Sequence, residues 1–284
     1  MQLGAGSRAA PGTPRAVTSW RPGRRAASLS AKVLVVLAAL GLWQLLTATG
    51  ALNRASFPTM WSTLRALGDQ LTTSGFWTTI GQTVEGWALG LALGGTAAVL
   101  VGSAIGLSRL ASRSTAPVIE LLKAVPSVAI LPLAIVVLGT HLQMKLTLVG
   151  YAVFFPLVIQ VVYGVRALDP TVADTATTLQ VRGLRRFLVV VLPSAAPFIA
   201  TGLRISAATA LILEIVAELI GGAPGLGQRI LLAENAGPTM FPLMYAFVLV
   251  TGILGIVLTG MFTLGERRVL HWHESQRNLR GATR

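Results

Sequence analysis

The chain has 284 residues, 53% hydrophobic and 12% charged, with a mean hydropathy of +0.70. Soluble domains carry about 25% charged residues, so an ordinary water-soluble globule and a disordered chain are both excluded, and a membrane protein is indicated. Lys and Arg outnumber Asp and Glu by 23 to 10, and the absence of cysteine removes disulfides, thiolate nucleophiles and Cys-ligated metals.

Residues 1–30 are rich in Arg, Ala, Gly, Ser and Pro and contain no acid, a composition expected to form a disordered basic tail. A transit peptide could share it, as could a signal peptide with 33–46 as apolar core and 48–51 as cleavage site. The further apolar runs downstream favour a tail ahead of a first membrane anchor. Uncharged runs of 21, 23, 21 and 20 residues lie between Lys32 and Arg54, Glu85 and Arg109, Lys123 and Lys145, and Lys145 and Arg166. Another of 31 separates Glu234 from Glu266, and the apolar stretch 187–220 is interrupted by Arg204, Glu214 and Glu218. A helix needs roughly 20 apolar residues to cross the hydrocarbon. Six spans are therefore predicted, near 32–52, 86–107, 124–140, 146–165, 198–219 and 241–263. Together they make a membrane domain over 31–265, followed by a tail over 266–284. Only helices or a closed barrel satisfy the backbone in lipid, and these runs lack the alternating polar residues of barrel strands. The fold class is all-α.

Between the first two spans, Phe57-Pro58 and 61–71 read as a short amphipathic segment at the outer interface, with Trp61 and Trp77 at headgroup depth. In the second span, Gly86, Gly90 and Gly94 form a small-residue strip that permits close helix contact. Pro126, Pro132 and Pro156 predict kinks in the third and fourth. Residues 166–197 are too long for a plain membrane turn. There Asp169-Pro170 starts a helix with Val172, Ala176 and Leu179 on one face. Residues 180–183 break it, Gly183 being the turn, and 184–192 resumes. An amphipathic helix offered there suits docking of a soluble partner; an interfacial helix lying on lipid, favoured by Arg182, Arg185 and Arg186, is the alternative. In the fifth span, Arg204, Glu214 and Glu218 are expensive at bilayer depth. They read as candidates for lining or gating a translocation path, or as anchors that snorkel and pair with neighbouring helices.

With the N-terminus inside, nineteen of the Lys and Arg residues fall on the inner side and four (Arg54, Arg65, Lys145, Arg229) outside. The positive-inside rule then puts both termini in the cytoplasm. The excess charge is thereby explained by topology and lipid headgroups, with no pattern for nucleic acid. Each lysine (32, 123, 145) lacks the preceding glycine of a P-loop. His271 and His273 are read as part of a solvated tail rather than a metal site, and no catalytic pair can be assembled. Energy for uphill transport would come from a partner or an ion gradient.

The segment 171–190 resembles the EAA loop of ABC-transporter permeases, the membrane subunits of binding-protein-dependent importers. Asp174 takes the acid position, Thr175 and Ala176 the Ala-Ala, Leu179 the apolar position and Leu192-Pro193 the close; Gln180 replaces the usual Gly, and Gly183 follows three residues later. The resemblance runs over about 55–265 and is nearest the nitrate/sulfonate/taurine branch. It rests on Phe57-Pro58, a Pro-x-x-Ala-x-x-Pro-Leu run over 126–133, Phe154-Phe155-Pro156, Gly164-Val165-Arg166 with Asp169-Pro170, Gly202-Leu203-Arg204-Ile205, Ala217-Glu218 and Gly225-Leu226-Gly227. Glu85 and Gln160 depart from the branch, which usually has Arg and Asn there. The resemblance implies a type I ABC importer permease fold with cytoplasmic coupling helices in a bacterial plasma membrane, and no enzymatic activity in this chain. It implies a second copy of the chain and two cytoplasmic ATPases that hold ATP-Mg and grip the coupling residues Asp174, Thr175, Ala176, Leu179, Gln180 and Gly183. An extracytoplasmic binding protein would deliver a small anion such as a sulfonate, taurine or nitrate, transported by alternating access; the chain itself would bind no cofactor. Two alternatives stay open: an importer for a vitamin or pyrimidine precursor, and a proton-coupled secondary transporter using Glu214 or Glu218.

Overall fold

The computed structural model describes residues 23–53 and 55–269. Every regular element among them is helical. Helix α1 (Gly23–Ala48) begins inside the stretch expected to be a disordered tail; the rest of that tail, 1–22, lies outside the described residues, as do 270–284 with His271 and His273. Helix α2 (Met60–Leu71) is opened by Thr59, whose hydroxyl accepts from the Ser62 N–H at 3.2 Å. Trp61 and Trp77 are both exposed.

Helix α3 (Ser74–Leu107) starts well ahead of the predicted second span. After it, α4 (Arg109–Ala124) is capped by Ser108. The predicted third span, 124–140, is not one helix. Val125 is extended, Pro126 follows, and a 3₁₀ turn (Ser127–Ile130) leads into α5 (Leu131–Leu138), so that α4 and the Ser127–Leu138 stretch meet at 76°. Proline lacks an amide hydrogen and drives the preceding residue out of the α region, so the chain turns at this point. Next come α6 (Leu142–Arg166), α7 (Pro170–Thr178) and α8 (Gly183–Arg186). A π-helical stretch, Phe187–Val191, runs straight into α9 (Leu192–Leu219). Helix α10 (Leu226–Asn235) and a 3₁₀ turn at Pro238–Met240 precede α11 (Phe241–Val269).

Among the described residues, four helical stretches have the length and apolarity to cross a membrane: α3, α6, Gly183–Leu219 and Pro238–Glu266. The bent pair would be a fifth. The apolar part of α1, Leu34–Ala48, is shorter than the others.

The core lies where α3, α6 and α9 meet. Met144, Leu148, Val149, Leu157, Val158 and Val161 of α6 are fully buried in it. The glycine strip of α3 faces α6: a methyl on Gly90 would stand 2.6 Å from Val149 Cγ1, and one on Gly94 would stand 2.6 Å from the Gly150 carbonyl oxygen. Small residues thus bring the two backbones together. Trp87 of α3 donates from Nε1 to the Ala207 carbonyl of α9 at 2.9 Å, and Ser206 donates to the Val153 carbonyl of α6 at 3.3 Å. A second cluster of Phe76, Leu226, Phe247 and Val250 joins α3, α10 and α11, with Phe76 and Phe247 stacked at 6.2 Å.

Candidate functional site

Two local structures stand out, one at each end of the Gly183–Leu219 stretch. At its N-terminal end, α7 and α8 form a compact projection. Asp169 Oδ1 accepts from the Thr171 N–H at 2.7 Å, and Pro170 occupies the first turn. The other end of α7 closes with a Schellman motif: Val181 N–H donates to the Ala176 carbonyl at 2.9 Å and Gln180 N–H to the Thr177 carbonyl at 3.0 Å. That motif requires a left-handed residue after the cap, and Gln180 supplies it at φ +55°. Among the described residues it is the only non-glycine with positive φ. The break therefore begins at Gln180, ahead of Gly183, which is also left-handed at φ +56°. The turn keeps the form that glycine would give it, with a strained residue in its place. Arg186 of α8 reaches back to α7, donating to Thr177 Oγ1 and to the Ala173 carbonyl, each at 3.5 Å.

Exposure divides the predicted face. Ala176 is 5% exposed and packs against its own chain, whereas Leu179 is 70% exposed and Val172 is also open. Asp174, Thr175, Gln180 and Gly183 are exposed. Leu179 and Leu184 therefore present apolar surface on the projection, and Ala176 supports it from below.

At the C-terminal end of α9, Glu214 and Glu218 are fully buried and meet Lys145 of α6, itself 2% exposed. The Lys145 ammonium lies 2.6 Å from Glu214 Oε1 and 2.9 Å from Glu218 Oε1. It also donates to the carbonyls of Gln82 (2.9 Å) and Pro224 (3.0 Å). Glu218 further accepts from the Thr83 hydroxyl at 2.8 Å and from the Gly227 N–H at 2.9 Å, while Thr83 Oγ1 accepts from the Leu226 N–H at 2.9 Å. The negative side chain thus sits on the Gly227 amide in the first turn of α10, where the helix dipole favours it. The contact to Glu214 is an ion pair lying off the hydrogen-bonding direction, and Glu214 Oε2 has no donor among the described residues. Space is closed as well: a methyl on Gly86 would fall on Glu214 Oε1 and one on Gly225 on the Glu218 carboxylate, and one on Gly227 would stand 2.6 Å from the Ile215 carbonyl oxygen.

Arg204 lies apart from this cluster. It is half-exposed and pairs with Glu266 of α11 at 3.2 Å. The three charges of the fifth span therefore separate, Glu214 and Glu218 into a buried cluster with Lys145 and Arg204 into a surface pair with Glu266. Lys145 and Thr83 escaped sequence reasoning as site residues. The available signal was a single lysine between two long uncharged runs. Among the described residues, no group of three His, Asp or Glu is placed to hold a metal.

Comparison with known proteins gives consistent matches. Residues 90–271 match the family model described as "Binding-protein-dependent transport system inner membrane component". A protein of Brucella abortus named as a probable ABC transporter permease is 30% identical over 259 residues, covering 88% of this chain and 98% of that protein. A protein of Bacillus subtilis named for aliphatic sulfonates transport is 26% identical over 255 residues, covering 90% and 92%. In the solved inward-facing MetNI methionine ABC transporter, one chain superposes with a TM-score of 0.54 at 18% identity, covering 74% of this chain and 97% of that one; that likeness concerns the fold.

Proposed function

The chain belongs to the inner membrane components of binding-protein-dependent transport systems, the multi-pass permeases of ABC importers whose ATPase is a separate subunit, and on that premise we propose that it imports a small anion, an aliphatic sulfonate first, with taurine and nitrate as the other candidates. The anion rests on the sulfonate relative and on the motifs shared with that branch. Two copies would frame one path, α1 and the bent α4–α5 pair completing six crossings per copy. Both termini would face the cytoplasm, as the distribution of basic residues favours. The projecting α7–α8 then lies inside, and α10 outside.

The observation that carries the coupling role is the projection itself. Apolar Leu179 and Leu184 stand exposed on a short helix pair whose ends are fixed by a cap and a Schellman motif. Such a knob fits a groove on a cytoplasmic ATPase. ATP binding would draw two ATPases together and, with them, two projections, switching the path from inward to outward access. Asp174, Thr175, Gln180 and Gly183 would shape the contact, with Ala176 bracing it. Glu214 and Glu218 would act near the outer end of α9 and Arg204, midway along it, at its contact with α11, rather than line an open path through one copy.

The test is co-purification of the ATPase from membranes with wild-type chain and with Leu179→Arg. Burying an unpaired charge in the docking groove should cut recovery at least tenfold at equal permease level. Equal recovery would remove the docking role. Uptake that survives loss of the ATPase and collapses with the proton gradient would instead make the chain a secondary transporter.

A further inference from the structure

The same helical stretch holds a separate short helix at each of its ends. Gly183–Leu219 is one continuous rod of 37 residues, roughly 55 Å long at 1.5 Å per residue. Near its beginning, Arg186 holds α7. At its far end, Glu214 and Glu218 meet Lys145, and Glu218 holds the start of α10. Resting on the permease reading and its orientation, we propose that Lys145 is a positioning residue of the outer gate: it fixes the segment 221–227, and through it α10, so that α10 follows the motion delivered to α7.

Three features carry this assignment. The first is directional bonding to backbone. Lys145 donates to the Pro224 carbonyl, and Glu218 and Thr83 accept the amides of Gly227 and Leu226. A plug of leucines could join α3, α6 and α9 as firmly, since apolar replacements of buried ion pairs are often neutral or stabilising. It could not specify where a loop backbone lies. The second is fit. Gly221, Gly225 and Gly227 have no room for a side chain, being pressed against Ala217, Glu218 and Ile215 of α9. The segment has one seat, and the charge cluster is its floor. The third is convergence: one ammonium reaches the backbone of α3, two carboxylates of α9 and the backbone ahead of α10. Displacing any of these elements breaks a bond at Lys145.

Further along α10, Ala233 is 6% exposed and lines a cavity of about 300 Å³ between α3, α10 and α11. It is therefore a reporter of whether α10 is seated. Because the chain has no cysteine, Ala233→Cys provides a single labelling site. The experiment uses the full complex with its ATPase in proteoliposomes and a membrane-impermeant maleimide as probe, in nucleotide-free and vanadate-trapped states.

The labelling rate in the otherwise wild-type complex should differ at least fivefold between the two states. With Lys145→Met added, it should be fast in both, while ATP hydrolysis stays within twofold. A nucleotide response preserved in Lys145→Met would overturn the proposal. So would a response absent from the parent, or hydrolysis and response lost in the same proportion, as a merely structural defect would produce. Should Lys145→Met fail to accumulate, Thr83→Val, which keeps the shape and removes the hydroxyl beneath Leu226 and Glu218, is judged by the same criteria. Failure of any ATPase to assemble with the parent would overturn the permease reading instead.

Discussion

Gly94 is the position where a single methyl group separates two explanations of the α3–α6 contact. A Cβ there would stand 2.6 Å from the Gly150 carbonyl oxygen and 2.9 Å from its Cα. Both atoms are backbone, so no rotamer change relieves the clash, and the two helices must part by several tenths of an ångström. Gaps of about 0.5–1 Å forfeit a quarter to a half of each dispersion contact, and overpacking typically costs about 1–3 kcal/mol. The better helix propensity of alanine returns up to about 1 kcal/mol. Gly94→Ala should therefore destabilise the protein by about 0–2 kcal/mol, and by about 1–3 kcal/mol relative to a Gly→Ala change that meets no clash. The control lies on the facing helix: a methyl on Gly150 meets nothing within 4 Å, so Gly150→Ala should be neutral or stabilising by up to about 1 kcal/mol. Reversible unfolding in mixed detergent micelles, followed by tryptophan fluorescence, measures both; Trp87 on α3 is 8% exposed and bonds to the Ala207 carbonyl of α9, so its emission follows loss of the helical core. A Gly94→Ala protein as stable as Gly150→Ala would refute the reasoning.

Two further substitutions test other parts of the structure. Gln180→Gly should relieve the left-handed strain, a gain of about 1–2 kcal/mol offset by glycine's unfolded-state entropy of about 0.5–1 kcal/mol; hydrogen exchange in 170–190 should slow, and faster exchange would count against the Schellman assignment. Arg204 and Glu266 pair with Arg204 41% exposed, so solvent screening should hold their coupling in a double-mutant cycle to about 0–1 kcal/mol; a larger coupling would mean the pair is enclosed by a neighbouring subunit.

Much of this arrangement is written in local sequence, and the rest depends on what crosses between helices. The uncharged runs mark α3, α6 and α11, and an apolar stretch broken by three charges marks α9, because hydrocarbon tolerates little else. The glycine strip identifies a contact face, but spacing along α3 cannot name α6 as the neighbour. Pro126 is visible as a kink, while the 76° bend that splits the predicted third span also depends on how Val125 and the following turn are packed. Lys145 shows the limit most clearly. Counted for topology, it is one outer charge among four. Only the approach of α6 to α9 turns it into the counter-ion of Glu214 and Glu218. Glu218 reads as a candidate from its depth and its place in a motif, but its grip on the amide of Gly227 needs the chain to fold back on itself. At Gln180 the residue type argues against a left-handed turn, and two carbonyls in need of donors override it.

The wide turn at Phe187–Val191 also sets the phase of everything beyond it. A π-turn accommodates one residue more than an α-turn, and one residue corresponds to about 100° of rotation around the axis. The azimuth of the carboxylates relative to the knob at the other extremity is thus encoded by a single extra amino acid. Shortening the chain there by one would leave the rod intact and swing its acidic end away from the lysine it now meets.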